Sequence, residues 1–277
     1  MKSFVMVLLL LSSMVWVDAR PLIFAPLPLS NTQRVFEDFS PMIHYLEKHL
    51  GERIEFHYEK QYDTIVRLFQ ENKIDIAYFD PLPFIALHKT FQGAKPLITF
   101  HESGGTHGYR CVLVKFAGDK IDVNHSPRMK VALTQPLSTC GYIKTKFLLK
   151  EYYGKELDNM LFSYLGKHDE VALSVIRGDF LVGGVKESVA HEYATLGLEI
   201  ITSTKMLPGF TLVVNTQTLT QAQIETIKHT LLSTPKEVYQ TWGKELSYGM
   251  SEANATLFDA LSHDALEFNV PPHGNYP

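Results

Sequence analysis

The sequence predicts an α/β protein of two lobes, hinged by two strands that cross between them. Short apolar runs alternate with amphipathic stretches along most of the chain, which favours mixed sheets flanked by helices. Two polar breaks that contain glycine, at residues 101–108 and 205–209, divide this alternation. The 277 residues are enough for two domains of ordinary size. We therefore assign residues 20–107 plus 207–277 to lobe one and residues 108–206 to lobe two.

The N-terminus is typical of a secretory signal peptide. Lys2 precedes an apolar run over residues 4–17, and small or medium residues follow up to Ala19. A run of this length is too short to span a bilayer comfortably, which disfavours the alternative of an uncleaved anchor. We predict that residues 1–19 are cleaved off and that the mature protein is exported.

Composition excludes some functions. Hydrophobic residues make up 45% of the chain and charged residues 20%, as in a soluble globular protein. The formal net charge of −4 gives no basic field, so we expect no nucleic-acid partner. An anion-binding site in such a chain must rely on local dipoles and single side chains. We expect no cofactor.

Lobe one is predicted to alternate strands and helices from its first residue. Pro41 falls within the first helical pattern, which predicts a kink or a restart there with Ser40 as the cap. Gly51 is a natural stop for that helix. Strands are predicted at residues 22–27, 54–58, 74–79 and 97–100, and helices at 35–50, from 61 and at 84–89.

Lobe two repeats the alternation, and helices close the chain. After the second break a strand leads back to lobe one. The lobe-two strands are predicted at 109–115, 131–134, 161–165, 180–185 and 199–202, and its helices from 143 and at 169–177. The returning strand is predicted at 210–215, followed by helices from 220 and 235 and a last one around 258–266.

The most informative stretch is the turn after the strand at 131–134. Ser138 and Thr139 stand there immediately before an amphipathic helix. The first N–H groups of a helix have no internal partner and carry partial positive charge. A hydroxyl-bearing turn at a helix start is therefore suited to a small oxyanion. The alternative is an ordinary capped turn, in which one of these hydroxyls only accepts from the helix backbone.

Five short motifs, in this order along the chain, resemble the phosphonate/phosphite-type solute-binding proteins of ABC transporters. They are IDIAYFDP at 74–81, GY at 108–109, PLSTCGY at 136–142, GKHD at 166–169 and LPG at 207–209. The resemblance implies a type II periplasmic-binding-protein fold that closes on a small phosphate-, phosphite- or phosphonate-like anion between its lobes. It also implies a monomer in the periplasm that delivers the anion to a permease in the inner membrane.

The resemblance implies six ligand-binding residues in this chain, all of types that donate hydrogen bonds. Each has a plainer alternative: the tyrosines would be core residues, and the histidine a helix cap. The six are Tyr62, Tyr109, Ser138, Thr139, Cys140 and His168.

Three positions bear on the ligand. Leu181 stands where the family commonly has an aspartate suited to an amino group, which argues against aminophosphonates. Cys140 stands where the family often has a serine, and a thiol is a weak donor but a soft ligand, so an arsenite-type oxyanion is also considered. Asp80 would repel an anion unless one partner is protonated, and we expect it to cap the following helix instead.

Other interpretations remain open at this point. His101, Glu102, His107 and Cys111 are metal-ligand types close in sequence, although their spacing matches no closed zinc pattern. Ser138 and His168 suggest a hydrolase, but no nucleophile elbow surrounds the serine, and we expect no enzyme. A protein of this fold can also present its ligand to a sensor histidine kinase. Cys111 and Cys140 either form a disulfide or remain reduced, in which case Cys140 is a reactive thiol at a helix start.

Overall fold

The computed structural model describes residues 20–121, 129–258, 261 and 270–277. The predicted signal peptide and most of the last predicted helix lie outside these residues. The strands are β1 (Leu22–Pro26), β2 (Ile54–Phe56), β3 (Ile76–Phe79), β4 (Ala94–Phe100), β5 (Gly108–Tyr109), β6 (Cys111–Phe116), β7 (Lys130–Leu133), β8 (Leu161–Tyr164), β9 (Val182–Lys186), β10 (Leu198–Ser203), β11 (Leu207–Pro208), β12 (Thr211–Asn215) and β13 (Met250–Glu252).

Helices cover the sheets that these strands form. They are α1 (Thr32–Leu50), α2 (Tyr62–Gln70), α3 (Pro81–Thr90), α4 (Thr145–Tyr153), α5 (His168–Ile176), α6 (Glu187–Glu192), α7 (Gln221–Leu232) and α8 (Lys236–Tyr239). A π-helical turn, Thr139–Lys144, runs directly into α4.

Two separate sheets confirm the predicted mixed α/β architecture. The first has the strand order β13-β4-β12-β3-β1-β2, and the second has the order β10-β6-β9-β7-β8. In the first, β1 pairs in parallel with β2 and β3, while β12 runs antiparallel to β3 and β4. In the second, β7 is parallel to β8 and β9, and β6 is antiparallel to β9 and β10. We call each sheet with its covering helices the first unit and the second unit.

The chain crosses between the units twice, and the crossings pair with each other. Strands β5 and β11 form a two-stranded antiparallel ladder in which Tyr109 faces Leu207 and Gly108 faces Pro208. A Cβ atom on Gly108 would lie 2.0 Å from the Leu207 carbonyl oxygen. Glycine is required there because the two crossing backbones approach so closely.

The first helix differs from its prediction. It is one element through Pro41, capped by Asn31, whose side chain accepts from the Arg34 N–H. Ser40 does not cap a second helix, because its hydroxyl donates to the Phe36 carbonyl one turn earlier. The predicted stop is confirmed, since Gly51 adopts a left-handed conformation with φ of 70°.

The C-terminal region differs in two ways. The helix predicted from residue 235 has only the four residues of α8, although Trp242 and Leu246 beyond it are buried as expected. The final residues, 270–277, lie on the second unit and not on lobe one, to which the sequence assigned them. The reason is a set of hydrogen bonds to β8, in which the Phe162 N–H donates to the Asn275 side chain and the Asn275 N–H donates back to the Phe162 carbonyl.

Candidate functional site

The turn that precedes α4 is buried and tightly packed. Strand β7 leads into it, and the Gly141 N–H donates to the Ser138 hydroxyl at 3.0 Å. Ser138 is therefore the N-cap. A Cβ on Gly141 would lie 1.7 Å from the Thr134 hydroxyl oxygen, so glycine is needed for the helix to start against this strand end. The structure therefore shows Ser138 in the plainer of its two predicted roles, as the cap of an ordinary turn whose hydroxyl accepts from the helix backbone.

The next residue of the turn meets the first unit. The Thr139 N–H donates to Asp80 Oδ2 at 3.1 Å, and the Thr139 hydroxyl accepts from the Leu82 N–H at 2.9 Å. Asp80 ends up at the N-cap position of α3 without a side-chain capping bond. The expectation that Asp80 caps α3 is wrong, because the threonine hydroxyl of the other unit accepts from α3 in its place. The helix start predicted to receive an anion is thus occupied by a carboxylate of the protein.

Asp80 has an unusual environment for a carboxylate. It is 3% exposed, and its Oδ1 has no hydrogen-bond partner among the described residues. Burial raises the pKa of Asp80 from 3.8 to about 7, against the hydrogen bonds from Thr139 and the charge of Lys186, which lower it. Near neutral pH this group is therefore both an acceptor and a source of a proton.

Two predicted tyrosines lie beside Asp80. Tyr62 and Tyr109 are buried, and the Tyr109 hydroxyl has no hydrogen-bond partner in the described part of the chain. Burial, and after it the charge of Asp80, raises the pKa of both tyrosines well above its usual value. Both hydroxyls are consequently neutral donors at physiological pH. A buried donor without a partner is costly in free energy, which makes it a marker of function.

Gln135 joins the two units at this place, and sequence reasoning treated it only as part of a turn. Its Oε1 accepts from the Tyr62 N–H at 3.0 Å. Its Nε2 donates to the carbonyls of Lys60 and Gly166 at 3.0 and 3.1 Å. The side chain thereby fixes the start of α2 against the second unit. A polar residue directly after a buried strand was the available signal.

Cys140 is not a thiol, since it forms a disulfide with Cys111 of β6. The predicted donor role of Cys140 is therefore wrong, because its sulfur carries neither a proton nor an open coordination position. The argument for an arsenite-type ligand, which depended on a soft thiolate, falls with it. The disulfide instead ties the turn to the strand that follows the first crossing.

His168 lies at the start of α5, facing β9 and not the Ser138 turn. Its Nδ1 accepts from the Lys186 N–H at 3.4 Å, which leaves Nε2 as the protonated nitrogen. Burial, and then the charge of Lys186, lowers the pKa of His168 to about 4, so the ring is neutral at pH 7. The Ser138 hydroxyl accepts from the Gly141 N–H, and His168 Nδ1 accepts from the Lys186 N–H. The structure therefore shows no hydrogen bond between Ser138 and His168 of the kind that a hydrolase requires.

A charged cluster between the units escaped sequence reasoning. The Lys186 ammonium lies 2.8 Å from Glu102 and 3.1 Å from Glu245, and 4.9 Å above the centre of the Phe210 ring. Burial opposes the charged form of Lys186, but the two carboxylates outweigh it and raise its pKa. Burial likewise opposes the charge of Glu245, and Lys186 more than offsets it, so the pKa of Glu245 is lowered. A lysine that ends an otherwise apolar strand was the signal in the sequence.

A small cavity borders this cluster at the boundary of the units. It has a volume of about 40 Å³, and its lining includes Ser30, Phe39, His168, Lys186 and Glu245. A larger cavity of about 1180 Å³ is bordered by the C-terminal residues, β8, the turn after β7 and the start of α2. Of the six predicted binding residues, only Tyr62 lines it. The candidate site has two parts, both between the units. The Asp80 cluster consists of Asp80, Tyr62, Tyr109 and Thr139, and the Lys186 cluster consists of Lys186, Glu102 and Glu245.

The metal-binding alternative finds no support in these contacts. Cys111 is in the disulfide, and Glu102 pairs with Lys186. The rings of His101 and His107 are 4.1 Å apart. Within residues 20–121, 129–258, 261 and 270–277, no three histidine, cysteine, aspartate or glutamate side chains are grouped to hold a metal ion. Over the same ranges every helix is too short or too polar to cross a bilayer.

Comparison with known proteins gives a consistent result. A family model described as the periplasmic substrate-binding protein of phosphonate ABC transporters matches residues 24–266. The chain is 28% identical over 165 residues to the phosphate-import protein PhnD of Mycolicibacterium smegmatis, an alignment that covers 56% of this chain and 51% of that relative. The chain therefore spans about half the length of this curated relative.

Solved structures share the fold. PhnD1 of Prochlorococcus marinus, solved in complex with methylphosphonate, superposes with a TM-score of 0.76 at 14% identity, over 90% of this chain and 98% of that chain. A binding protein component of an ABC phosphonate transporter from Pseudomonas aeruginosa gives 0.73 at 16% identity, over 90% and 86%. At these identities the likeness establishes the architecture alone.

Proposed function

Because this chain belongs to the family of periplasmic substrate-binding proteins of phosphonate ABC transporters, we propose that it captures a small phosphorus oxyanion between its two units and delivers it to a permease. One observation carries the proposal. Beside a helix start, at the boundary of the units, the buried Tyr109 hydroxyl and Asp80 Oδ1 both lack hydrogen-bond partners among the residues that the structure describes. A phosphorus oxyanion, with several acceptor oxygens and an ionisable proton, complements this pair of groups.

The proposed mechanism is a hinge closure. The crossing strands β5 and β11 act as the hinge between lobe one, residues 20–107 with 207–258, and lobe two, residues 108–206. In an opened form the Asp80–Thr139 and Leu82–Thr139 hydrogen bonds separate, which frees the Thr139 amide and hydroxyl. The anion then bonds to both lobes, and closure is favoured because only the closed form makes both sets of contacts.

Four of the residues predicted from sequence serve the anion in this proposal, and two do not. Thr139 supplies its amide and hydroxyl, Tyr109 and Tyr62 their hydroxyls, and His168 the Nε2–H that its bond from the Lys186 amide leaves available. Ser138 shapes the turn as a cap, and Cys140 anchors it through the disulfide. No catalytic step is proposed.

The ligand class is narrowed by the charges in the site. The carboxylates of Glu102 and Glu245 are both engaged by Lys186, so neither is free to pair with an amine. Leu181, which stands where the family commonly has an aspartate, packs on the core of the second unit. We therefore expect phosphate, phosphite or methylphosphonate to bind more tightly than aminoethylphosphonate. The mature chain is proposed to act as an exported monomer. No contact in the structure favours presentation to a sensor kinase over delivery to a permease.

The substitution Tyr109→Phe tests the assignment. The Tyr109 hydroxyl makes no hydrogen bond within the described residues, so its removal leaves the melting temperature unchanged or raises it. If the hydroxyl donates to the anion, the affinity for methylphosphonate or phosphate falls about 10- to 100-fold, as for a hydrogen bond to a charged group. Titration calorimetry measures the affinity and a thermal melt the stability.

Tyr142→Phe is the matched control. The Tyr142 hydroxyl is likewise buried and has no hydrogen-bond partner within the described ranges, but it lies in the second unit near Asp158 and Tyr164. This variant is expected to keep the wild-type affinity. Equal affinities for Tyr109→Phe and wild type, or binding of no phosphorus oxyanion by either protein, contradict the proposed function.

A further inference from the structure

We propose that Asp80 makes the site selective for oxyanions that share a proton with it. The bound state would contain one proton between Asp80 Oδ1 and a ligand oxygen, brought either by the ligand as a P–O–H group or by Asp80 as the carboxylic acid. The inference rests on the proposed function, because it concerns how the same anion is chosen. It adds a specificity-determining residue and excludes a class of ligands.

The geometry that supports this begins with the two oxygens of Asp80. Oδ2 accepts from the Thr139 N–H at 3.1 Å and so points to the helix start. Oδ1 is buried and has no partner among the described residues. A carboxylate oxygen that is removed from water and left without a donor makes the folded state less stable than a paired one does. Once the units open to admit a ligand, a hydroxyl of that ligand supplies the donor that Oδ1 lacks.

The groups that face Asp80 do not supply this donor or neutralise it fully. Tyr62 of α2 and Tyr109 of β5 are neutral, and the Tyr109 hydroxyl is itself unpaired. Lys186 of β9 is the cation whose charge acts on Asp80, but its ammonium is held by Glu102 and Glu245. With one cation shared between two carboxylates, no net positive charge remains to balance both Asp80 and an anion.

Chemistry then separates two classes of ligand. Phosphate, phosphite and phosphonates exchange their last proton close to neutral pH or below it, so a bridging proton is available at small cost. Sulfate is a stable dianion that carries no proton in this range. Next to ionised Asp80, sulfate brings like charges together without a bridge. Because the pKa of Asp80 is raised to about 7, the separation of the two classes is expected above that pH, where Asp80 no longer has a proton to donate to sulfate.

The test is calorimetric titration of the mature protein with methylphosphonate and with sulfate between pH 5.5 and 9, in wild type and in Asp80→Asn. For wild type we expect methylphosphonate affinity to fall up to about tenfold per pH unit once both acids have ionised. Near pH 8, where Asp80 has lost its own proton, we expect sulfate to bind at least about 100-fold more weakly than methylphosphonate. In Asp80→Asn the amide can donate to an unprotonated oxygen. The pH dependence is then expected to flatten and sulfate affinity to rise about tenfold or more.

Asp179→Asn is the control, because Asp179 is an exposed carboxylate that pairs with Arg177 away from the turn. It should retain the wild-type pH profile and selectivity. A measurement that needs no variant repeats the wild-type titration at pH 8.5 in buffers of different ionisation enthalpy. It is expected to report uptake of close to one proton with methylphosphonate.

The outcomes separate the two proposals. If wild type binds none of these anions, the proposed function fails and this inference fails with it. If wild type binds methylphosphonate but takes up no proton at pH 8.5, or if Asp80→Asn keeps both the pH profile and the discrimination against sulfate, Asp80 does not select the ligand and only this inference is overturned.

Discussion

Two polar clusters lie between the same two units, and they differ in whether their buried polar groups have partners. In the Lys186 cluster one ammonium meets two carboxylates at 2.8 and 3.1 Å. In the Asp80 cluster, one carboxylate oxygen and the Tyr109 hydroxyl have no partner in the described chain. Both clusters remove polar groups from water, but only in the first does each carboxylate have an ionic partner. That pairing is incomplete compensation at Glu102, where burial still raises the pKa. Under the proposed function, the paired cluster holds the units together and the unpaired cluster receives the ligand.

The largest expected effect tests the structural role of the paired cluster. Lys186→Met leaves Glu102 and Glu245 largely buried without their cation, so we expect a loss of about 3–5 kcal/mol in the free energy of unfolding. Urea denaturation measures this loss. Lys150→Met, which removes a solvent-exposed pair with Glu156, is the control and should leave the midpoint nearly unchanged. Similar midpoints for both variants would mean that the Lys186 cluster does not hold the units together.

The next effect compares the clusters by their response to pH. The pKa of Asp80 rises from 3.8 to about 7 on folding, so the folded state binds more protons and stability falls as pH increases from about 4 to 7. The pKa of His168, beside Lys186, falls from 6.5 to about 4, so its contribution is present above pH 6.5 and is lost as pH decreases towards 4. The two slopes have opposite signs in nearly the same window.

Single variants should reveal the two pH dependences of the free energy of unfolding, which largely cancel in wild type. Relative to wild type, Asp80→Asn removes a decline of about 4 kcal/mol between pH 4 and 7, so its relative stability rises with pH. His168→Asn removes an increase of about 3 kcal/mol over pH 4 to 6.5, so its relative stability falls with pH. Denaturation curves at half-unit pH intervals supply the comparison. Parallel pH profiles for the two variants would show that these groups do not titrate as their surroundings imply.

The architecture was predictable from the sequence because it depends on patterns within short segments. Apolar runs marked the strands of both sheets except the edge strand β13, which no prediction included. Gly51 marked the end of α1, because the left-handed conformation that closes that helix favours glycine. The continuation of α1 through Pro41 was harder to predict from the sequence. Ser40 resembles a cap in sequence, and only its hydrogen bond to the Phe36 carbonyl shows that the helix continues.

The site was only partly predictable, because its contacts join residues that are far apart in the chain. The turn at Ser138 and Thr139 was found from its hydroxyls and the helix that follows. Its partner Asp80 is 59 residues away, and no local pattern specifies that a carboxylate meets that amide. The Lys186 cluster joins three distant segments, so Glu245 carried no signal of its own in the sequence.

The smallest expected effect distinguishes a cap made across the units from one made within a unit. The Thr139 hydroxyl accepts from the Leu82 N–H of α3 in the other unit, whereas the Thr220 hydroxyl accepts from the Gln223 N–H within α7. Loss of a capping hydroxyl costs about 1 kcal/mol in either place, so Thr139→Val and Thr220→Val should lower the free energy of unfolding by similar amounts. Urea denaturation checks this equality.

The two caps should differ in their effect on the ligand. If closure of the units exchanges the Leu82–Thr139 bond for bonds to the anion, Thr139→Val loses an anion contact as well as a cap. Its affinity for methylphosphonate should then fall about tenfold, while Thr220→Val binds as wild type does. Equal affinities in the two variants would mean that Thr139 only fastens one unit to the other. Under the proposed function, the unpaired groups at Asp80 and Tyr109 would then have to account for binding without the helix start.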